Sequence, residues 1–304
     1  MKKVLAIPIL ICLATALGAQ NQGQNNEAPP YGKKAPVTDV MDALSEMDRI
    51  FETPDEPLTL KDEYYLGRTV AARILHTYKP YTGDPALVSY LNKICQALVI
   101  NSPRQEAFNG YQAGILDTPE INAFATPGGH IFLTRGLVAY ADSEDVLAAV
   151  LAHELAHIQL RHAAAMIDDQ RIANDLSPSA DRAASIALRN AGPQKQALFT
   201  RHISGMVNTL FKNGFSREQE FAADVTAAGL LDNAGYDPAA LIRMLEILET
   251  TQSLHPGGFT TTHPPAAARI TNLKNVVLTG QGSETRVYRD YRFTFFHDRI
   301  TRTR

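Results

Sequence analysis

Five residues near the middle of the chain, His153-Glu154-Leu155-Ala156-His157, have types and spacing suited to metal chemistry. On a helix, residues four apart share a face, so the two imidazoles can hold one ion between them. Glu154 lies one step round. It can reach a water beside that ion, take its proton and later hand it to a leaving amine. Zinc suits imidazole and carboxylate ligands and keeps one position open at catalytic sites. The chemistry expected of this set, with one Zn2+ per chain, is hydrolysis of a peptide bond. The surrounding residues Val150, Leu151, Leu155 and Ile158 are aliphatic. Burying two histidines and a glutamate among them is costly without a partner, and a metal supplies one.

A third protein ligand must come from elsewhere, because the position six beyond His157 is Ala163. The stretch from Ser216 to Asp224 offers acids. Glu220 and Asp224 lie four apart, so Glu220 can ligate the ion while Asp224 accepts a hydrogen bond from a ligating histidine and fixes its tautomer. Glu218 is the competing ligand. It sits about 200° round the helix from Glu220, so only one of the two can serve. His263 follows the glycine-containing loop Ser253–Thr262 and precedes Pro264-Pro265. That loop can bring its imidazole over the metal, either as a fourth ligand that keeps the site latent or as a donor to the oxyanion of the reaction. His162, five beyond His157, falls on a different helical face and reads as structural.

The elements that must position these residues are mostly helical. Apolar spacing of three and four predicts helices over Tyr64–Tyr78 and Pro85–Ile100, the second opened by Asp84 before Pro85. Cys95 lies in the second and reads as a buried small hydrophobe. Tyr111–Leu116 and His130–Thr134 read as short strands flanking a Pro- and Gly-containing loop, Asp117–Gly129. They form a small antiparallel sheet beside the His153–His157 helix. His130, Ile131, Phe132 and Leu133, with Asn122 in the loop, are the candidate substrate-binding residues, because an edge strand pairs with an extended peptide through its backbone. The metal helix starts at Asp142 or Ser143, with Glu144 and Asp145 where the helix dipole favours negative charge, and runs to about His162. Further helices follow over Ser216–Leu231, from Asp237-Pro238 to Leu248, and from Pro264-Pro265. Val287–Phe296 reads as a strand. The six arginines from Arg286 to Arg304 read as a solvated tail.

The whole chain bounds the answer. It has 304 residues, 45% hydrophobic and 20% charged, which supports a globular core rather than disorder. Its net charge of −3 gives no reason to expect a nucleic-acid partner. Residues 1–19 have a Lys2-Lys3 start, an apolar run and small residues at Ala16, Gly18 and Ala19, which is a secretory signal. Cleavage there removes two lysines, so −3 − 2 gives −5 for the mature chain. Retention would leave a membrane tether, for which the apolar run is short against the roughly 20 residues of a span. Residues 20–36 read as a flexible linker, 37–280 as the catalytic domain, and 281–304 as the terminal strand or tail. No later stretch is apolar enough to span a membrane.

The combination of His153–His157 with Ser216-Arg217-x-x-Glu220-Phe221-x-Ala223-Asp224 resembles the gluzincin metallopeptidases of family 48, which include CaaX prenyl endopeptidases, HtpX and BepA. Asn122–Leu137, Arg161-His162, and Thr262-His263-Pro264-Pro265 with Arg269-Ile270 resemble further stretches of that family. The likeness runs from about Leu60 to Leu273. It implies an α+β, mainly helical, zincin-like fold, zinc ligands His153, His157 and Glu220, the base Glu154, and Asp224 behind a ligand. The type resembled most is a soluble, exported BepA-like member without its repeat domain. The resemblance implies a periplasmic endopeptidase for unfolded or misassembled proteins, with an outer-membrane assembly machine as a candidate partner. The other reading is a non-catalytic, chaperone-like module on the same scaffold, which would be expected to lose Glu154 or a ligand.

Overall fold

A computed structural model describes residues 46–47, 49–50, 56–176, 214–252, 263, 265–276 and 286–301. The signal and linker segments, residues 177–213 and the stretch Ser253–Thr262 before His263 lie outside the described residues.

Helix α1 (Leu60–Thr77) starts at a capping box. The Thr59 hydroxyl accepts from the Asp62 N–H, and the Asp62 carboxylate accepts from the Thr59 N–H. Helix α2 (Pro85–Ile100) is capped by Asp84 with Pro85 in its first turn. Three strands follow: β1 (Gln112–Leu116), β2 (Ala123–Thr126) and β3 (His130–Thr134). A short 3-10 turn, Pro127–Gly129, joins the last two. The sheet order is β1-β3-β2, with β1 parallel and β2 antiparallel to β3. The sheet is thus mixed, where two strands alone would read as antiparallel. The reason is β2, folded from the loop between them. It takes the antiparallel edge of β3 through the tight turn and leaves β1 the parallel edge.

Two glycines fix how α1 meets this turn. A Cβ on Gly67 would stand 1.7 Å from the Pro127 carbonyl oxygen. Gly128 has φ +75°, and a Cβ there would stand 2.4 Å from Tyr64 Cα. Only glycine lets the two backbones approach this closely.

After a short helix α3 (Arg135–Tyr140) comes α4 (Glu144–Gln159), the centre of the molecule. The Ser143 hydroxyl caps it by accepting from the Val146 N–H, and Glu144 and Asp145 occupy its first turn. Every residue from Glu144 to Ile158 is buried, so the helix is enclosed on all sides. It ends because Arg161 adopts a left-handed backbone (φ +60°), a conformation that costs a non-glycine residue roughly 1–2 kcal/mol. Helix α5 (His162–Leu176) then departs in a new direction. Helices α6 (Arg217–Asn233), α7 (Ala240–Gln252) and α8 (Ala266–Val276) pack around α4 and each other.

The last element, α9 (Arg286–Thr301), is a helix, not a strand or a solvated tail. Arg289, Phe293 and Ile300 are buried at helical spacing, and Phe296 packs half-buried beside them. The apparent alternation comes from Tyr288, Tyr291 and Phe295, which stay exposed. Arg289 and Arg292 pair with Asp145 and Glu144, so they fasten α9 to the start of α4. Among the described residues, no helix is long and apolar enough to cross a membrane.

Candidate metal centre

The site is built where α4 and α6 cross. Small residues line that contact: Ala149, Ala152 and Ala156 on α4, Ala223 and Ala227 on α6, all buried. Small side chains let helix axes approach closely. The start of α6 is fixed by a second capping box. The Ser216 hydroxyl accepts from the Gln219 N–H (3.2 Å), and the Gln219 side-chain oxygen accepts from the Ser216 N–H (2.9 Å). With that start set, Glu220 and Asp224 face α4 with no exposed surface, while Glu218 points to solvent.

One ligand atom each from His153, His157, Glu220 and His263 lies within 4.8 Å of the other three, and all four residues are buried. The Nε2 atoms of His153 and His157 are 3.1 Å apart. Glu220 places Oε2 3.5 Å from the first and Oε1 3.4 Å from the second. His263 Nδ1 is 2.6 Å from Glu220 Oε1, and its Nε2 is 4.0 Å from Glu154 Oε1. Ring nitrogens this close, facing a carboxylate in a dry interior, call for a shared cation. The donor set of imidazoles and one carboxylate fits zinc or a similar divalent ion.

A shell of partners holds these groups. Asp224 Oδ1 lies 3.0 Å from His153 Nδ1. Arg269 on α8 donates to both Asp224 oxygens, at 2.8 and 2.6 Å, and sets its Nη1 3.0 Å from Glu220 Oε2. His162 Nδ1 is 2.9 Å from His157 Nδ1, and the Phe215 ring stacks on His157 at 4.0 Å. Such contacts orient a ligating imidazole.

The electrostatics follow from burial and these pairs. Burial raises the Asp224 carboxyl, but Arg269 and His153 outweigh it and hold it at about 2. Burial likewise lowers His153, yet Asp224 and Glu220 push it up to about 9. Glu220 stays well below the usual carboxylate range against its burial, because His263, His153 and His157 face it. Glu154 goes the other way. Burial drives it above the usual carboxylate range despite His263 and His153 nearby, and its Oε1 has no hydrogen-bond partner. A raised carboxyl is one that can both take and return a proton near neutral pH.

The family described as Peptidase family M48 matches residues 85–277, more than half of the chain and all of this cluster. The chain belongs to peptidase family M48. It is 30% identical over 266 residues to the Beta-barrel assembly-enhancing protease of Escherichia coli, covering 86% of this chain and 51% of that protein. The Yersinia pestis protein of the same name is 28% identical over 243 residues, 79% of this chain and 47% of the relative. The Mitochondrial metalloendopeptidase OMA1 of Schizosaccharomyces pombe is 28% identical over 209 residues, 66% of this chain and 55% of the relative. The chain thus spans about half the length of these relatives.

Within this M48 site, the structure brings His153, Glu154, His157, Glu220, Asp224 and His263 together. The strand residues are placed differently. His130, Ile131, Phe132 and Leu133 lie on the central strand β3, whose backbone is paired on both sides. Asn122 is buried beside this strand; its side-chain oxygen accepts from the Ala123 N–H (2.9 Å) and its carbonyl accepts from the Thr134 N–H (3.0 Å). Among the described residues, the edge of the sheet with no backbone strand partner is that of β2. The stretch Asp117–Gly129, expected to be a loop, contains this strand.

Two residues of the shell stand closer to the ligands than the sequence indicates. Arg269 appears there only as part of a motif, yet it is the largest fully buried side chain among the described residues. An arginine in an otherwise small and apolar helical run, Ala266-Ala267-Ala268-Arg269-Ile270, was the available signal. His162 was assigned to another helical face. The left-handed turn at Arg161 brings it back onto His157, and no spacing argument on a continuous helix finds that.

Proposed function

We propose that the chain is an exported zinc-dependent endopeptidase that cleaves unfolded or misassembled proteins. The observation that carries the reading is the four-atom ligand cluster beside a raised Glu154 carboxyl whose Oε1 has no hydrogen-bond partner. His153, His157 and Glu220 would hold the ion, with Asp224 and Arg269 fixing His153 and Glu220. Zinc supplies Lewis acidity when bound, polarising a carbonyl and making water a better nucleophile near neutral pH. Glu154 takes the proton from the attacking water and delivers it to the departing nitrogen. An extended substrate lies along the open edge of β2, pairing through its backbone, so side-chain demands are few. A small cleft lined by Thr126, Pro127, His157 and Phe215 joins that edge to the metal ligands, which supports this path.

His263 gives the site a way to be restrained. Its Nδ1 contact with Glu220 and its place in the ligand cluster support a latent state in which its imidazole occupies the fourth position. His263→Ala would then raise basal casein cleavage. A fall of roughly 10²–10³-fold would assign it to the oxyanion instead. Unchanged activity and metal affinity would remove both roles.

The signal-like residues 1–19 support export to the periplasm, and the printed name of the bacterial relatives supports work beside outer-membrane β-barrel assembly. The deciding experiment is casein digestion by the metal-analysed protein, with and without chelator, beside Glu154→Gln. Chelator-sensitive cleavage lost in Glu154→Gln supports the endopeptidase. Zinc bound and unfolded protein captured without cleavage would instead establish the chaperone-like module.

A further inference from the structure

Arg68 is a second buried charge near the site. It lies on α1, 5% exposed, and its Nε is buried without a hydrogen-bond partner. Among the described residues no carboxylate pairs with it. Its guanidinium carbon sits 5.5 Å from the Tyr64 ring centroid and 5.9 Å from that of Tyr65. Contacts with aromatic faces offset part of the cost of burying a cation, but they satisfy none of its N–H groups. Buried charges are ordinarily paired, and an unpaired one points to a missing partner.

The surroundings supply donors. Asn109 donates to the Tyr64 hydroxyl oxygen at 3.0 Å, which leaves the Tyr64 O–H proton free to give. Tyr64 stacks on His130 at 5.8 Å, and His130 is buried too. The half-exposed Phe108 ring, 5.3 Å from Tyr64, stands at the surface beside them. The location matters. His130 pairs with Thr126 in the strand register, and Thr126 ends the open edge strand. Thr126 also lines the cleft that contains His157.

We infer that Arg68, with the Tyr64 hydroxyl, is a carboxylate-binding subsite at the Thr126 end of the substrate track. A planar guanidinium matches a single carboxylate, which a fork of N–H groups can hold in bidentate fashion, and the O–H of the Tyr64 ring that it packs against adds a donor. The source is an acidic side chain of the bound peptide or its terminal carboxylate. This inference rests on the reading of β2 as the peptide track.

The test uses the full chain carrying Glu154→Gln, so that peptides bind without being cut. Fluorescence anisotropy is measured with labelled unstructured peptides in matched sets: one Glu or the same residue as Gln, each with a free or an amidated C-terminus. A charge-assisted pair should give the acidic member at least about ten-fold tighter binding. Adding Arg68→Met, which keeps the packing of the stem, should abolish that preference. Arg68→Lys should keep part of it, and melting curves of both variants check that they are folded. Loss on Glu-to-Gln exchange names the side chain as source, and loss on amidation names the terminus. Equal binding of all four peptides, or a preference that survives Arg68→Met, overturns the subsite. An acid preference in a protein whose wild type cuts no peptide still supports the subsite, and it sinks the peptidase reading alone.

Discussion

Helix α4 carries buried acids at both ends, and the two ends are treated differently. At its start, Glu144 accepts from Arg292 (2.6 and 2.5 Å), Tyr90 (2.8 Å) and Tyr236 (3.1 Å). Asp145 accepts from Arg289 (3.1 Å) and the Asp237 N–H (2.9 Å). Both acids face an arginine, and the set ties α9, α7 and α2 to the helix. About 15 Å further along, at 1.5 Å per residue, Glu154 is as deeply buried but has an oxygen with no partner. Burial with full pairing holds the fold together. Burial with an open valence keeps a group ready for something not yet bound. Arg289 and Arg68 differ in a related way: Arg289 faces the Asp145 carboxylate at 3.1 Å, whereas no carboxylate among the described residues pairs with Arg68.

If the contrast is right, substitutions at the two ends move different observables. Glu154→Gln should cut proteolysis roughly 10²–10⁴-fold, the usual worth of a general base, and leave bound metal and melting temperature nearly unchanged. Asp145→Asn should do the opposite. It strands the buried Arg289, which typically costs about 3–5 kcal/mol when one member of a buried pair is removed. Its folded fraction should turn over at the parental rate. A variant at either end that lowers both observables together would break the comparison.

His130 sharpens it with a third kind of burial, a base kept neutral. Burial, with Arg68 second, pulls its pKa down to about 4 from 6.5. The unfolded chain therefore takes up a proton on His130 at a pH where the folded protein does not. Stability from this group is complete above pH 6.5 and is lost as pH falls from 6.5 to 4. The shift corresponds to roughly 3 kcal/mol at most. His130→Phe should flatten that acid limb in urea titrations run across the interval. An unchanged limb would mean that His130 is more hydrated than its burial indicates.

Much of this was legible in the sequence because it depends on local rules. The H-E-x-x-H spacing, the Ser143 and Ser216 caps and the Glu220–Asp224 interval each follow from helix geometry, and each stands where that geometry puts it. What was not legible depends on contacts made across the chain. The strand β2 is four residues long and carries two alanines, too short and too weak in β propensity to announce itself. The aromatic face of α9 looks like alternation until Arg289 and Arg292 find the acids of α4. Arg269 gains its role only when α8 is folded against α6.

The smallest effect expected is the most discriminating about the shell. Asp224 does not need to touch the metal. It accepts from Arg269 and holds His153 by Nδ1, leaving Nε2 for the ion. Asp224→Asn keeps the shape but removes the charge, so His153 loses the partner that fixes its tautomer. The expected loss is about 10–100-fold in metal affinity or activity, as for other partners of ligating histidines. Glu220→Ala should lose far more affinity than that, and Glu218→Ala none, since Glu218 is exposed on the opposite side of α6. Metal content after dialysis against a graded chelator series ranks the three. If Asp224→Asn fell as far as Glu220→Ala, Asp224 would have to be counted among the ligands. If it fell no further than Glu218→Ala, Arg269 alone would be holding the site in register.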